Sequence, residues 1–81
     1  MDGAPVLSLL IANWNTKALL QDLLSSIFSN RPQVSFEVIV IDNASADGSA
    51  AVVETEYPEV RLVKNSENLG YARANNQAFS L

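Results

Sequence analysis

Two near-continuous apolar runs, VLSLLIA at residues 6–12 and FEVIVI at 36–41, constrain the fold of this chain more than any other feature. A strand with one wet face alternates apolar and polar residues. A strand apolar at almost every position must be covered on both faces, as in a parallel sheet flanked by helices. The segment between the runs, NTKALLQDLLSSIFSN, supplies such a cover. Leu19, Leu20, Leu23, Leu24, Ile27 and Phe28 recur at steps of three and four, while Lys17, Gln21, Asp22, Ser25 and Ser26 take the other side. That spacing predicts an amphipathic helix, opened by Asn15 or Thr16 as N-cap and closed before Asn30-Arg31-Pro32.

A third run, VRLVK at 60–64, alternates, with Arg61 and Lys64 making one side wetter, and is expected at a sheet edge. DGSAAVVETEYP predicts a shorter second helix, with Asp47 as its capping candidate and Pro58 as its stop. The carboxylates of ETEYPE read as a solvated helix end. ENLGYARANNQAFSL opens with a glycine turn and reads as helical to the end. The order is β-α-β-α-β-α, and alternation with connections of this length implies a three-stranded parallel sheet with right-handed crossovers. The fold class is α/β, a single piece of a doubly wound fold spanning residues 1–81.

Composition removes several function classes. There are no cysteines and no histidines, so disulfides, thiol nucleophiles and imidazole bases or ligands are absent. A net charge of −4 and a sequence pI of 4.4 lack the basic stripe of a nucleic-acid binder. The apolar runs fall short of the roughly 20 residues a membrane span needs. MDGAPVLSLLIANW has no basic n-region of a secretory signal, which makes the cytoplasm the expected compartment.

In open parallel sheets, ligands bind outside the carboxyl ends of the strands. Three polar segments are predicted to meet there: NWNT after the first strand, DNASADGS after the second and NSENLGYAR after the third. Asp42 ends the second strand as a two-oxygen acceptor, suited to ribose hydroxyls or a base N–H, or else to its own loop amides in an Asx-turn. Trp14 either lines a base pocket with its flat ring or packs over the first helix. Asn13 and Asn15 beside it can donate to a sugar or phosphate, or Asn15 caps the helix. Gly70 permits close backbone approach just before a helix start that favours anions, and Arg73 lies one turn further in, within reach of a phosphate or simply solvated. There is no G-x-G-x-x-G after the first strand and no P-loop, which disfavours a dinucleotide-dependent dehydrogenase and a P-loop enzyme. A diphosphate bound by a chain this acidic calls for another source of positive charge, typically a metal ion.

Taken together, VLSLLIANWN, VIVIDNASADGS and NSENLGYARANNQA resemble, in order and spacing, the amino-terminal part of inverting family-2 glycosyltransferases. The resemblance runs from about Val6 to Ala78 and is strongest toward the rhamnosyltransferase-like branch that builds cell-surface polysaccharides. It implies the Rossmann-like, nucleotide-binding half of the GT-A fold. It also implies a nucleoside-diphosphate sugar as donor and a saccharide or lipid-linked acceptor. Asp42 would contact base or ribose, with Ala12, Asn13 and Trp14 lining the same pocket. Asn68 and Gly70 would lie near the nucleotide, while Arg73 matches a variable position.

The family places an Asp-X-Asp motif for Mg²⁺ or Mn²⁺ after a fourth strand and a base carboxylate later still. Neither occurs in these residues, and Asp42 and Asp47 lie in the wrong loop for the metal. The chain is therefore expected to be part of a longer catalytic domain and to show no turnover alone. In the strand order 3-2-1-4 typical of the fold, the first strand would present an open edge, and self-association is expected. The alternative is a small non-catalytic α/β module that binds a nucleotide or a protein partner.

Overall fold

The computed structural model describes residues 6–67. Three strands, β1 (Leu7–Asn13), β2 (Phe36–Asp42) and β3 (Arg61–Lys64), form one parallel sheet in the order β1-β2-β3. Helix α1 (Lys17–Ser29) joins the first pair and α2 (Ser49–Glu56) the second. The alternation read from the sequence is present through β3. The helix expected after it lies outside the described residues.

Apolar runs become strands here because both faces of β2 are buried. Val38 and Val40 point to one face, where Leu20 and Leu24 of α1 and Val53 of α2 pack on them. Ile39 and Ile41 point to the other face and cluster with Leu10, Ala12 and Val63. β2 is the middle strand and the most deeply buried, so its unbroken run FEVIVI follows from its place. At the foot of the helices Phe28 stacks on Tyr57 with ring centroids 5.7 Å apart. Arg31 lies 5.0 Å over the Phe28 ring and pairs with Glu59 at 2.9 Å.

Boundaries differ from the sequence reading in instructive ways. β1 and β2 each run one residue further, to Asn13 and Asp42, because these two polar residues are partners in the ladder. β3 begins at Arg61 rather than Val60, whose N–H closes a turn onto the Tyr57 carbonyl at 3.0 Å while its side chain stays in the core. The carboxylates of ETEYPE, in the last turn of α2 and just beyond it, are exposed, but two hold partners: Glu54 binds Lys64 at 2.6 Å and Glu59 binds Arg31. Exposed pairs of this kind contribute little.

Among the described residues β1 is an edge strand and carries no charged side chain. The flank of α1 facing α2 carries Lys17, whose Nζ lies beside Gly48, and Phe28. Leu19 and Leu23, four apart on the opposite flank, therefore turn toward the β1 edge. They are 69% and 44% exposed.

Two outcomes follow for stability and association. Leu24→Ala, which opens a cavity at a fully buried position, is expected to cost about 2–5 kcal/mol in urea unfolding, whereas Leu19→Ala should stay within about 0.5 kcal/mol. Replacing Leu23 by Glu is expected to raise the monomer fraction in sedimentation, by putting a charge beside the uncharged β1 edge.

Candidate functional site

The ladder brings the strand ends level. Asn13 pairs with Asp42, and Asp42 with Lys64. Just beyond, the Asn43 N–H donates to the Asn13 carbonyl and the Asn65 N–H to the Asp42 carbonyl, both at 2.8 Å. Asn65 Nδ2 also donates to Asn43 Oδ1 at 2.9 Å. The three loops predicted to converge thus start from one rim, held together by asparagines.

At the centre of the rim Asp42 is 2% exposed. A buried carboxylate is tolerated only with donors around it, and its donors come from the end of β1 and from the loop after β2. Oδ1 accepts from Asn13 Nδ2 at 2.9 Å and from the Ser45 hydroxyl at 2.7 Å, and Oδ2 accepts from the Ser45 N–H at 3.0 Å. Asn13, 1% exposed, spends its amide group on Asp42 and Ser45 and accepts from the Thr16 hydroxyl at 2.6 Å. Ser45 Oγ in turn accepts from the Asn15 N–H at 2.9 Å. Asn15 Oδ1 accepts from the Ala46 N–H at 2.7 Å. The side chains read as alternatives for ligand or loop are, in this arrangement, partners of one another.

That cross-linking requires unusual backbone. Asn15, Ala44 and Gly48 have φ of +50°, +62° and +87°. Glycine adopts this region freely and asparagine tolerates it, but alanine pays about 1–2 kcal/mol. Ala44 is held there because the loop must fold back for Ser45 to reach Asp42.

Helix capping also departs from expectation. Thr16 occupies the N-cap position of α1 but makes no side-chain cap bond, since its hydroxyl points to Asn13. The cap comes from Asp47 instead. Its Oδ2 accepts from the Lys17 N–H at 3.0 Å, and its Oδ1 accepts from the Ser49 N–H at 3.0 Å and from the Ser49 hydroxyl. One carboxylate thus serves the N-termini of α1 and α2, where helix dipoles favour negative charge. The Ser49 hydroxyl, with further backbone N–H bonds from Lys17 and Ser49, holds the Asp47 carboxyl below its ordinary value of 3.8.

Of the other predicted site residues, Trp14 stands at the rim with 49% of its surface open. Ala12 packs with Ile39 and Ile41 on the second face of the sheet. Asn68, Gly70 and Arg73 lie outside the described residues. Ser45 went unremarked in the sequence, although a serine three residues after a strand-end aspartate is placed to fold back on it. It also lines a shallow depression of about 370 Å³ between α2 and β3, with Gly48, Ala51, Glu54, Thr55 and Lys64. Among the described residues no group of three carboxylate, histidine or cysteine side chains could hold a metal, and both loop aspartates are engaged elsewhere. No helix among them is long and apolar enough to cross a membrane.

The profile of glycosyl transferase family 2 matches residues 8–81. The chain belongs to this family. It is 33% identical over 78 residues to an uncharacterized protein of Mycobacterium tuberculosis, covering 95% of this chain and 24% of that one. It is 36% identical over 74 residues to the uncharacterized glycosyltransferase YfnE of Bacillus subtilis, covering 89% and 19%. A mannosyltransferase of Pyrobaculum calidifontis, solved in complex with GDP-Man and Mn²⁺, superposes with a TM-score of 0.79 at 29% identity over 94% of this chain and 24% of that one. The family-2 chain thus has the GT-A glycosyltransferase fold expected of it. It spans no more than about a quarter of the length of these relatives.

Asp47 gives this site a pH signature. Its folded-state pKa is lowered, so the stability it contributes is present above 3.8 and is lost as pH falls through the lower folded value. Asp47→Ala is expected to lower the urea midpoint at neutral pH, with the gap from the parent narrowing as pH drops toward about 3. A gap of constant size across that range would contradict the double cap.

Proposed function

We propose that this chain forms the donor-binding part of an inverting glycosyltransferase, taking a nucleoside-diphosphate sugar at the rim where β1 and β2 end. The observation that carries the reading is the Asn13–Asp42–Ser45 network at the carboxyl edge, its Asn13 and Asp42 buried, with the exposed Trp14 following Asn13 in the chain. It is the place where an open parallel sheet binds ligands, with an aromatic side chain able to stack on a nucleoside and an acceptor carboxylate that a ligand reaches once an internal donor moves aside. In the reaction an acceptor hydroxyl, on a saccharide or lipid-linked acceptor, attacks the anomeric carbon and the nucleoside diphosphate departs with inversion. Asn68, Gly70 and Arg73, beyond β3 in the sequence, belong to the same proposal as nucleotide contacts.

The mannosyltransferase of similar fold is held with GDP-Man and Mn²⁺, which makes GDP-sugars the first donors to try. A divalent ion, Mg²⁺ or Mn²⁺, fits the needs of a diphosphate near a chain of net charge −4. The described residues supply no ligand set for it, so no step is assigned to it. A role in cytoplasmic synthesis of cell-surface polysaccharide, in the rhamnosyltransferase-like manner, is the finer reading. The residues after β2 act here in binding and orientation, and the chain alone is expected to bind donor without turnover.

Trp14 is the single tryptophan, so its fluorescence reports this rim directly. Titration with GDP-Man, GDP or UDP in the presence of Mn²⁺ is expected to give a saturable change in emission that Trp14→Phe removes. No response to any of the three at millimolar concentration would favour the non-catalytic module instead.

A further inference from the structure

We propose that Ser45 is a displaceable internal ligand of Asp42, occupying the acceptor positions that a paired donor of the bound nucleoside takes over. The inference rests on the donor-binding reading above and assigns Ser45 a positioning role within it.

Both oxygens of Asp42 are engaged. Ser45 meets it at two points, the hydroxyl at Oδ1 and the N–H at Oδ2. Two adjacent X–H groups facing the two oxygens of one carboxylate is also the pattern offered by a ribose diol, or by the N–H edge of guanine. A carboxylate has about four acceptor directions, and three are taken here. At 2% exposure, a ligand reaches Asp42 through two points only if a present partner moves aside.

Two residues could move, and they are not equivalent. Asn13 is fixed within β1: its peptide belongs to the ladder with β2, and its carbonyl accepts from Asn43. Ser45 belongs to no helix or strand. It follows Ala44, whose positive φ accompanies the fold-back onto Asp42, and its hydroxyl also accepts from Asn13 Nδ2 and the Asn15 N–H. Releasing Ser45 lets Ala44 return to ordinary backbone, which offsets part of the lost hydrogen bonding. Ser45 also lines the open depression toward Lys64, whereas Asp42 does not, so a ligand in that depression touches Ser45 and not Asp42. Asn13 keeps its bond to Oδ1 throughout and holds the carboxylate in place.

The consequence has an unusual sign: deleting a polar group that touches the site should tighten binding. With wild type and Ser45→Ala, both confirmed folded by circular dichroism, Trp14 titration is expected to show a threefold or greater gain in GDP affinity for the variant. Ser45→Thr, which keeps the hydroxyl, should match wild type. The gain should vanish with 2′,3′-dideoxy-GDP if the diol is the paired donor, or with inosine diphosphate if the guanine edge is. A second measurement needs no variant. In wild type, GDP should speed hydrogen exchange at the Asn15 and Ser45 amides, whose acceptors are Ser45 Oγ and Asp42 Oδ2. An unchanged or weakened affinity in Ser45→Ala, or an equal gain for all three nucleotides, would overturn the proposal while leaving donor binding intact. Silence of wild type and variant toward every nucleotide would overturn donor binding and this inference together, and is told apart by the absence of any saturable titration.

Discussion

Burial of one carboxylate organises the carboxyl rim of this sheet. Asp42 lies at the end of the most buried strand, and leaving such a group without donors would cost several kcal/mol. Its donors are drawn from β1, through Asn13, and from its own downstream loop, through Ser45. Because the partners belong to separate segments, satisfying the charge also fixes where those segments lie. Asn13 then anchors Thr16, and Ser45 anchors Asn15, so the turn into α1 is specified by the same network.

Asp47 extends this logic from strand ends to helix starts. Placed five residues after Asp42 in the same loop, it supplies the cap that Thr16 does not and joins the N-termini of α1 and α2. Two carboxylates in DNASADGS thus set the geometry of both helices relative to the sheet. The backbone at Asn15, Ala44 and Gly48 is bent to positive φ to allow it. Of the three only Ala44 bears a steric cost, which the hydrogen bonds of the loop offset. Membership of glycosyl transferase family 2 gives that rim its chemical context.

Strand and helix order was legible because burial on both faces leaves no freedom in composition: β2 must be apolar at nearly every position, and Leu20 and Leu24 must recur on one side of α1. Boundaries were less so. Ending β1 at Ala12 and β2 at Ile41 followed from polarity, but the ladder continues for one more pair because Asn13 and Asp42 satisfy each other across it. The N-cap position of α1, Thr16, was legible, but the side chain that does the capping was not. Capping rules read the nearest side chain, and here a residue 30 positions away takes the role.

What the sequence determined by itself is local and periodic: three strands, two helices between them, and a cluster of polar loops at the carboxyl ends. Those follow from spacing and side-chain polarity, which act over a few residues. The tertiary structure decided which polar groups pair. Asp42 finds Asn13 at a separation of 29 residues and Asp47 finds Lys17 at 30, contacts that no local rule specifies. Only when the parallel ladder sets β1 and β2 side by side do an aspartate, an asparagine and a serine become one network, because hydrogen bonds depend on distance in space and not along the chain.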